Sequence, residues 1–175
     1  MIIRKATQDD IQAVADTYTE LLEHEQNTVS YTNWKMGLYP TRKTAENTVE
    51  NDTLYVLEDD GTVCASMILN HIQPCEHEKI DWRYEATDEE TLTVHTLCVP
   101  PSKAGKGYGK AMMKFACDFA RDTGCKVVRL DTYIGNLPAQ AMYNKLGFNC
   151  AGTAYVFFEG LHKELMYFEY KLDKE

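Results

Sequence analysis

Gly105, Gly107 and Gly109 stand at every second position between an apolar run and a segment with helical periodicity. A loop that leaves a strand and enters a helix presents unpaired backbone N–H groups at the positive end of the helix dipole. Glycine adopts positive φ without a steric cost and lets a ligand approach this backbone. The loop is therefore predicted to bind an anion, and a pyrophosphate is the usual occupant of such a site.

Two common nucleotide-binding motifs do not fit this loop. A Walker A motif needs glycine at 104 and serine or threonine at 111, but the chain has Ala104 and Ala111, so no hydroxyl is placed to bind magnesium. The dinucleotide motif G-x-G-x-x-G fails because Lys110 or Met112 stands where its third glycine is required. The pattern that remains is V-x-P, a short basic stretch and G-x-G at the start of a helix.

The elements around the loop predict a mixed α/β fold. The β-branched stretch TLTVHTLCV is predicted to be the strand that enters the loop, followed by a helix from about Tyr108 to Thr123 that Gly124 ends. KVVRLDTYI then reads as a buried strand, so a βαβ crossover is expected here. Along the chain, the predicted order is one strand, two helices and three strands, then helix, strand, helix and two strands.

Local signals predict several boundaries earlier in the chain. Thr7 and Asp10 have the spacing of a capping box, ahead of a helix that is expected to run to about residue 25. Thr41 is predicted to cap a second helix. Asp60 and Gly61 form a dipeptide typical of a tight hairpin turn between two strands.

Composition limits the class of protein. A chain of 175 residues with 44% hydrophobic content is expected to form one domain over residues 1–175. With 27 acidic and 18 basic residues the net charge is −9, which disfavours nucleic-acid binding. No run approaches the roughly 18 apolar residues of a membrane span. Six cysteines without a C-x-x-C pair, and an N-terminus without the apolar core of a signal peptide, favour reduced thiols in the cytoplasm.

Two segments resemble the GCN5-related N-acetyltransferase (GNAT) family. VPPSKAGKGYG is similar to the family's acetyl-coenzyme A loop, Q/R-x-x-G-x-G/A, and NLPAQAMYNKLGF is similar to N-x-x-A-x-x-L-Y-x-x-x-G-F. Ala104 stands where the family prefers glutamine or arginine, so weaker pyrophosphate binding is expected unless Lys103, Lys106 or Lys110 compensates. The resemblance implies a single α/β (α+β) domain with a mixed, mostly antiparallel sheet, a central splayed pair of parallel strands and flanking helices.

The same resemblance implies acetyl-CoA as cosubstrate, with no metal. The pantetheine arm would pair with the strand backbone near Leu97 as an added strand, and one of these N–H groups would polarise the thioester carbonyl. Asn136 would reach the coenzyme through its amide or cap the following helix, and the two roles are compatible. The implied coenzyme-binding residues are Leu97, Cys98, Val99, Ala104, Gly105, Lys106, Gly107, Tyr108, Gly109, Lys110, Asn136, Ala139 and Tyr143.

Tyr143 is the candidate proton donor. Direct attack of an amine on the thioester releases a thiolate that must be protonated. Tyr143 matches the tyrosine of the family motif, and a phenol with an ordinary pKa near ~10 is protonated at neutral pH, as a donor must be. Without the motif, a half-buried aromatic residue on a helix face would be the simpler interpretation.

His95 is the first candidate for the base that accepts the proton of the amine. Two-residue alternation places Thr93, His95, Leu97 and Val99 on one face of the strand. A histidine at this position also resembles the arylalkylamine acetyltransferases; the alternative is a structural histidine. The other four histidines, His24, His71, His77 and His162, lack metal-ligand spacing and receive no role. Two acidic residues are further candidates for the base: Glu90 and Asp131.

The acceptor is expected to lie between the loops at 24–40 and 73–90. The second loop carries seven acidic and two basic residues, so a positively charged primary amine is expected, against the alternative of an ordinary solvated loop. Four aromatic residues are candidates for contacting it: Tyr31, Trp34, Trp82 and Tyr84.

Two other functions compete with acetyl transfer. The first is an acyl-CoA-binding sensor or interaction module with the same fold and no turnover. The second, weaker one is a nucleotide-phosphate binder. A homodimer is also expected, because the terminal strands AYVFF and LMYFEY offer aromatic edges for pairing between subunits.

Overall fold

A computed structural model describes residues 1–158 and 161–173 and confirms the predicted order of elements. A 3-10 turn, Gln8–Asp10, leads directly into the first helix, and further short 3-10 turns span Cys75–Lys79 and Pro101–Lys103. The described helices are α1 (Ile11–Asn27), α2 (Arg42–Glu50), α3 (Tyr108–Asp122) and α4 (Leu137–Lys145). The described strands are β1 (Ile2–Lys5), β2 (Leu54–Asp59), β3 (Thr62–Asn70), β4 (Thr91–Cys98), β5 (Val127–Tyr133), β6 (Asn149–Phe158) and β7 (Leu161–Lys171).

The strands form a mixed, mostly antiparallel sheet in the order β1-β2-β3-β4-β5-β7-β6, as the fold class predicted. β4 and β5 are the parallel pair, and their register runs from Thr91 opposite Val127 to Val94 opposite Leu130. β5 then pairs antiparallel with β7, and β7 with β6. The helix between two parallel strands is α3, which is the predicted βαβ crossover.

The chain divides into two compact units. The first comprises Met1–Ser30, Trp34–Leu69 and His95–Phe115, and the second comprises Tyr31–Asn33, Asn70–Val94 and the described part of Ala116–Glu175. The expected single domain over 1–175 stays a prediction. No helix within the described ranges is both long enough and apolar enough to cross a bilayer.

In the first unit, α1 and α2 pack their apolar stripes against β2 and β3. Val14 and Tyr18 are one helical turn apart on α1 and at most 1% exposed, as the three- and four-residue spacing predicts. They belong to a buried cluster with Ala45 of α2 and Leu54 of β2. The second unit is built on β5, whose residues Val127, Val128 and Leu130 are at most 1% exposed.

The local boundary signals are confirmed. Thr41 accepts a hydrogen bond from the amide of Thr44 and caps α2. Asp60 and Gly61 have φ of 50° and 69°, the positive values that a type I′ hairpin turn requires. Gly124, with φ of 81°, ends α3.

Asp10 supports a first prediction, on stability. Arg4 donates to both its carboxylate oxygens, at 2.7 and 2.8 Å, and the amide of Thr7 donates at 2.8 Å. These bonds, with Arg4 contributing most, lower the pKa of Asp10 from 3.8 to about 2. A pKa lowered by folding means that the stabilisation is present above the ordinary value and is lost as the pH falls from about 4 to 2.

Asp10→Asn should therefore reduce the free energy of unfolding at pH 7 by about 1–2 kcal/mol. It should also flatten the loss of stability between pH 4 and 2, which urea denaturation at a series of pH values would measure. Asp9→Asn changes an exposed neighbour and serves as control. An Asp10→Asn protein with the same acid limb as the wild type would contradict the assignment.

Candidate active site

The glycine loop between β4 and α3 has an unusual backbone. Gly105 and Gly107 have φ of 76° and 82°, in the left-handed region that glycine adopts readily. A Cβ at either position would meet no other atom within 4 Å, so glycine is required by the backbone conformation rather than by lack of space. Residues 104–107 are exposed.

Three consecutive amides of the loop have no acceptor in the described chain. The amide of Ala104 donates to the carbonyl of Pro101 at 3.1 Å, and helical bonding begins where Ala111 donates to Gly107 at 3.0 Å. Between them, the amides of residues 105–107 make no hydrogen bond with described residues. Exposed, unpaired donors at the N-terminus of a helix form a site for an anion.

Side chains of the same unit hold the loop in place. The Tyr108 hydroxyl donates to Asp59 Oδ2 at 2.7 Å, and this bond raises the pKa of Tyr108. Ser102 donates to Glu20 of α1 from its amide at 2.7 Å and from its hydroxyl at 3.0 Å. Tyr108, predicted to bind the coenzyme, thus has its phenol engaged in anchoring the loop.

The end of β4 leads into the loop. Cys98 is fully buried, its thiol lies 3.8 Å from the carbonyl oxygen of Thr17, and burial raises its pKa to about 12. The thiol is therefore unreactive, and only the backbone of Cys98 can contact a ligand. Leu97 and Val99 are half-buried.

His95 also lies on β4, and next to it is a backbone outlier. Thr96 has φ of 50°, a value that costs a β-branched residue about 1–3 kcal/mol, and its hydroxyl contacts that of Tyr39. The positive φ of Thr96 thus interrupts the extended backbone within residues 93–99, where side chains are predicted to alternate between the two faces of the strand. Exposure still alternates, because His95 and Leu97 are half-buried whereas Thr96 is buried. The catalytic role of His95 stays a prediction.

In the second unit, Asn136 caps α4. Helix capping is one of the two roles predicted for this residue. Its Oδ1 accepts from the amide of Ala139 at 3.3 Å, and its Nδ2 donates to Thr132 Oγ1 at 3.0 Å. One N–H of the side-chain amide remains, so a coenzyme contact by Asn136, like one by Ala139, stays a prediction.

The ring of Tyr143 is buried, and its hydroxyl makes no hydrogen bond with a described residue. The residue is 5% exposed, and its ring centroid lies 5.4 Å from that of Phe168 and 6.0 Å from that of Phe148. Its hydroxyl has no hydrogen-bond partner among the described residues, yet it is not sealed from solvent as that of Tyr167 is. Burial, and secondarily the charge of Asp131, raises the pKa of Tyr143, so the phenol is protonated.

The candidate aromatic residues for the acceptor have different surroundings. The Arg129 guanidinium lies 4.3 Å from the ring centroid of Trp82, and the Lys171 ammonium lies 5.5 Å from that of Tyr84. These two rings therefore already face cations of the protein itself. Trp34 packs against the core of the first unit, and Tyr31 is 39% exposed.

Sequence reasoning missed His77. In the structure it is 2% exposed, and its Nε2 lies 3.4 Å from Asp131 Oδ2. Metal-ligand spacing was the wrong criterion, because the partner of His77 is a carboxylate 54 residues away. A usable signal was present on β5, where Arg129 and Asp131 interrupt an otherwise apolar strand, since buried charges are rare without a role. The described residues contain no cluster of three or more metal-ligating side chains.

Comparison with known proteins identifies relatives by sequence. Streptothricin acetyltransferase from Streptomyces lavendulae is 33% identical over 75 residues, which are 43% of this chain and 40% of that protein. A second relative, human N-acetyltransferase 8B, is 36% identical over 67 residues, 38% of this chain and 30% of its own length. The chain thus spans less than half the length of the curated relatives it matches.

Solved structures share the whole fold. An acetyltransferase of the GNAT family from Streptococcus agalactiae 2603 superimposes with a TM-score of 0.82 at 20% identity, covering 99% of this chain and 96% of that one. The structure of yncA from Salmonella typhimurium with its cofactor acetyl-CoA gives a TM-score of 0.71 at 20% identity, covering 99% and 95%.

The family model agrees with the fold and with both sequence motifs. It spans residues 13–148, from α1 to the end of the second motif, and its description is acetyltransferase (GNAT) family. This chain therefore belongs to the acetyltransferase (GNAT) family.

Proposed function

We propose that this protein is an acetyl-CoA-dependent N-acetyltransferase that acetylates a cationic primary amine by direct attack. The observation that carries the proposal is the run of unpaired amides at residues 105–107, in a loop that its glycines hold in a left-handed conformation. These donors fit a pyrophosphate, and the exposed side chains of Lys106 and Lys110 add positive charge in place of the family's glutamine or arginine.

The remaining coenzyme contacts follow from the family motif. The half-buried backbone of Leu97 and Val99 would pair with the amides of the pantetheine arm. When bound, acetyl-CoA supplies the activated acetyl group as a thioester. The residues proposed to contact it remain those of the loop, of the end of β4 and of the start of α4.

Tyr143 and His95 are the proposed catalytic residues. The nitrogen of the amine forms a bond to the thioester carbonyl carbon, and the C–S bond breaks. Before this attack the ammonium form gives one proton to His95, which leaves a neutral nitrogen with a free lone pair. The proton of Tyr143 goes to the departing thiolate, and the second proton, which the nitrogen loses on forming the amide, returns to the Tyr143 oxygen. The buried ring and uncommitted hydroxyl of Tyr143 support its part in this scheme.

The acceptor and the assembly remain proposals. Tyr31, Trp34, Trp82 and Tyr84 stay candidates for contacting the amine, although the rings of Trp82 and Tyr84 already face protein cations. A homodimer is proposed through β6, an edge strand on which Tyr155 and Phe157 are 72% and 65% exposed. The prediction that LMYFEY also offers an edge is wrong, because β7 lies between β5 and β6 in the sheet. All six cysteines are free thiols, which supports the cytoplasm as the compartment.

A comparison of two ligands tests the coenzyme site. At about 100 times its Kd, acetyl-CoA should stabilise the protein by roughly 2.7 kcal/mol, or about 5–10 °C in Tm for a chain of this size. ATP at the same concentration should have little effect. Stabilisation by ATP alone would contradict the proposal and favour a nucleotide-phosphate binder.

Thiol release from acetyl-CoA tests turnover. We expect release that depends on an added amine, measured over a panel of polyamines, arylalkylamines and lysyl peptides. Binding of acetyl-CoA without release for any amine would instead support the acyl-CoA sensor. Faster turnover of neutral or acidic amines than of these cations would contradict the proposed acceptor class.

A further inference from the structure

Asp131 is the partly exposed member of a row of otherwise buried polar side chains, which consists of Arg129, Asp131, Tyr167 and Glu169. Arg129 and Asp131 are two residues apart on β5, so they share one face of the sheet. Their partners on β7 are Glu169 and Tyr167. The three neighbours of Asp131 in this row are each at most 4% exposed, whereas the Asp131 side chain is 25% exposed. Asp131 is thus the member of the row that a ligand can reach.

The Asp131 carboxylate has unused capacity for hydrogen bonds. In the described chain its one hydrogen-bonding contact is His77 Nε2, at 3.4 Å from Oδ2, although a carboxylate can accept about four such bonds. His77 and Tyr167 are 2% and 1% exposed, with ring centroids 5.3 Å apart. His77 Nδ1 and the Tyr167 hydroxyl have no partner among the residues described. Buried polar atoms of this kind are normally satisfied by water or by a bound group.

Arg129 and Glu169, the other charges of the row, bind the segment at 73–84, and only Arg129 Nε and Glu169 Oε2 are left without a partner among the described residues. Glu169 Oε1 accepts from a main-chain amide of this segment at 2.8 Å. Arg129 donates to two acceptors in it, each at 2.8 Å, and lies over the ring of Trp82. The aromatic face of Trp82 is therefore covered by an internal cation, whereas Asp131 is the charged member of the row that stays accessible to an external cation.

Given the proposed acetyl transfer, we propose that the Asp131 carboxylate binds the protonated amine of the acceptor, with His77 and Tyr167 as positioning residues. An ammonium N–H donating to a carboxylate forms a charge-assisted hydrogen bond, which is stronger than a neutral one. The charge of Asp131 also contributes to the raised pKa of the Tyr143 phenol. The substrate class is a cationic amine, because a cation gains an ion pair in addition to the hydrogen bond, whereas a neutral amine gains the hydrogen bond alone and an anion is repelled.

Steady-state kinetics with spermidine and 2-phenylethylamine test the assignment. Asp131→Asn should raise the KM for the amine about 10- to 100-fold, the usual loss for a hydrogen bond to a charged group. The KM for acetyl-CoA should stay within twofold of the wild type. Asp131→Glu, which keeps the charge, should recover part of the loss. Asp122→Asn removes an exposed carboxylate at the end of α3 and should leave both constants unchanged.

Variants of His77 separate positioning from a general structural role. His77→Phe removes the N–H that faces Asp131 and should raise the amine KM about fivefold with kcat unchanged, whereas His77→Gln keeps a donor and should restore it. Equal losses of kcat and of thermal stability in both variants would overturn the positioning role.

Two outcomes distinguish this inference from the proposed function. An amine KM within twofold of the wild type in Asp131→Asn, with wild-type turnover intact, overturns the assignment of Asp131 and leaves acetyl transfer standing. A wild-type protein that acetylates no amine in a broad panel overturns the proposed function, and the assignment falls with it.

Discussion

Tyr143→Phe should lower kcat about 100-fold, with the Kd for acetyl-CoA unchanged within twofold. Loss of a general acid typically costs 10²- to 10⁴-fold. Phenylalanine keeps the ring that packs against Phe148 and Phe168, and the hydroxyl that it lacks has no partner in the described chain. The free energy of unfolding should therefore change by less than about 1 kcal/mol. Thiol-release kinetics and calorimetric binding of acetyl-CoA provide the two measurements.

The pH dependence of the wild type gives a second check on Tyr143. Burial raises the pKa of this phenol above its ordinary 10, so the donor stays protonated throughout the range from pH 6 to 9. No loss of kcat from ionisation of Tyr143 is therefore expected on the alkaline side of that range.

Tyr170→Phe is the matched control for Tyr143→Phe. Tyr170 belongs to the same aromatic cluster, with its ring centroid 5.1 Å from that of Phe148, and the proposed chemistry does not use its hydroxyl. Its kcat should equal that of the wild type. If Tyr143→Phe also stayed within threefold of the wild type, the donor would have to be another group.

Gly107→Ala should raise the Kd for acetyl-CoA about 10- to 100-fold. An alanine at φ of 82° pays a steric cost in the left-handed region, so the loop is expected to relax and misalign the unpaired amides. Each hydrogen bond lost to a charged phosphate contributes about 1.5–3 kcal/mol. Isothermal calorimetry with acetyl-CoA would measure the change.

Gly124→Ala separates backbone strain from loss of the binding site. Gly124 has nearly the same φ, 81°, and an added Cβ there also meets no atom within 4 Å. Both variants should therefore lose a similar amount of stability, about 1–2 kcal/mol. Only Gly107→Ala should lose affinity for acetyl-CoA. Equal affinities in the two variants would mean that the loop does not bind the coenzyme.

Local order in this protein could be predicted from sequence because the responsible forces act over a few residues. The spacing of Thr7 and Asp10, the Asp60-Gly61 dipeptide and the glycine after α3 each act through neighbouring backbone groups. The family was also readable, because the glycine loop and the α4 motif are each contiguous in sequence. The local boundary signals and the family motifs both depend only on the order of residues along the chain.

The surroundings of the candidate acceptor site depend on contacts between distant residues. His77 meets Asp131 across 54 positions, and Arg129 covers the ring of Trp82 from another element. Such contacts are set by the register of β5 against β7 and by how the segment at 73–84 packs on that face. Registers and packing arise from the burial of side chains over the whole unit, so no local pattern in the sequence encodes them. The sequence by itself determined the family and the glycine loop that is proposed to bind phosphate. The tertiary structure decided which charges stay available to a substrate, because only packing shows which charges the protein already neutralises.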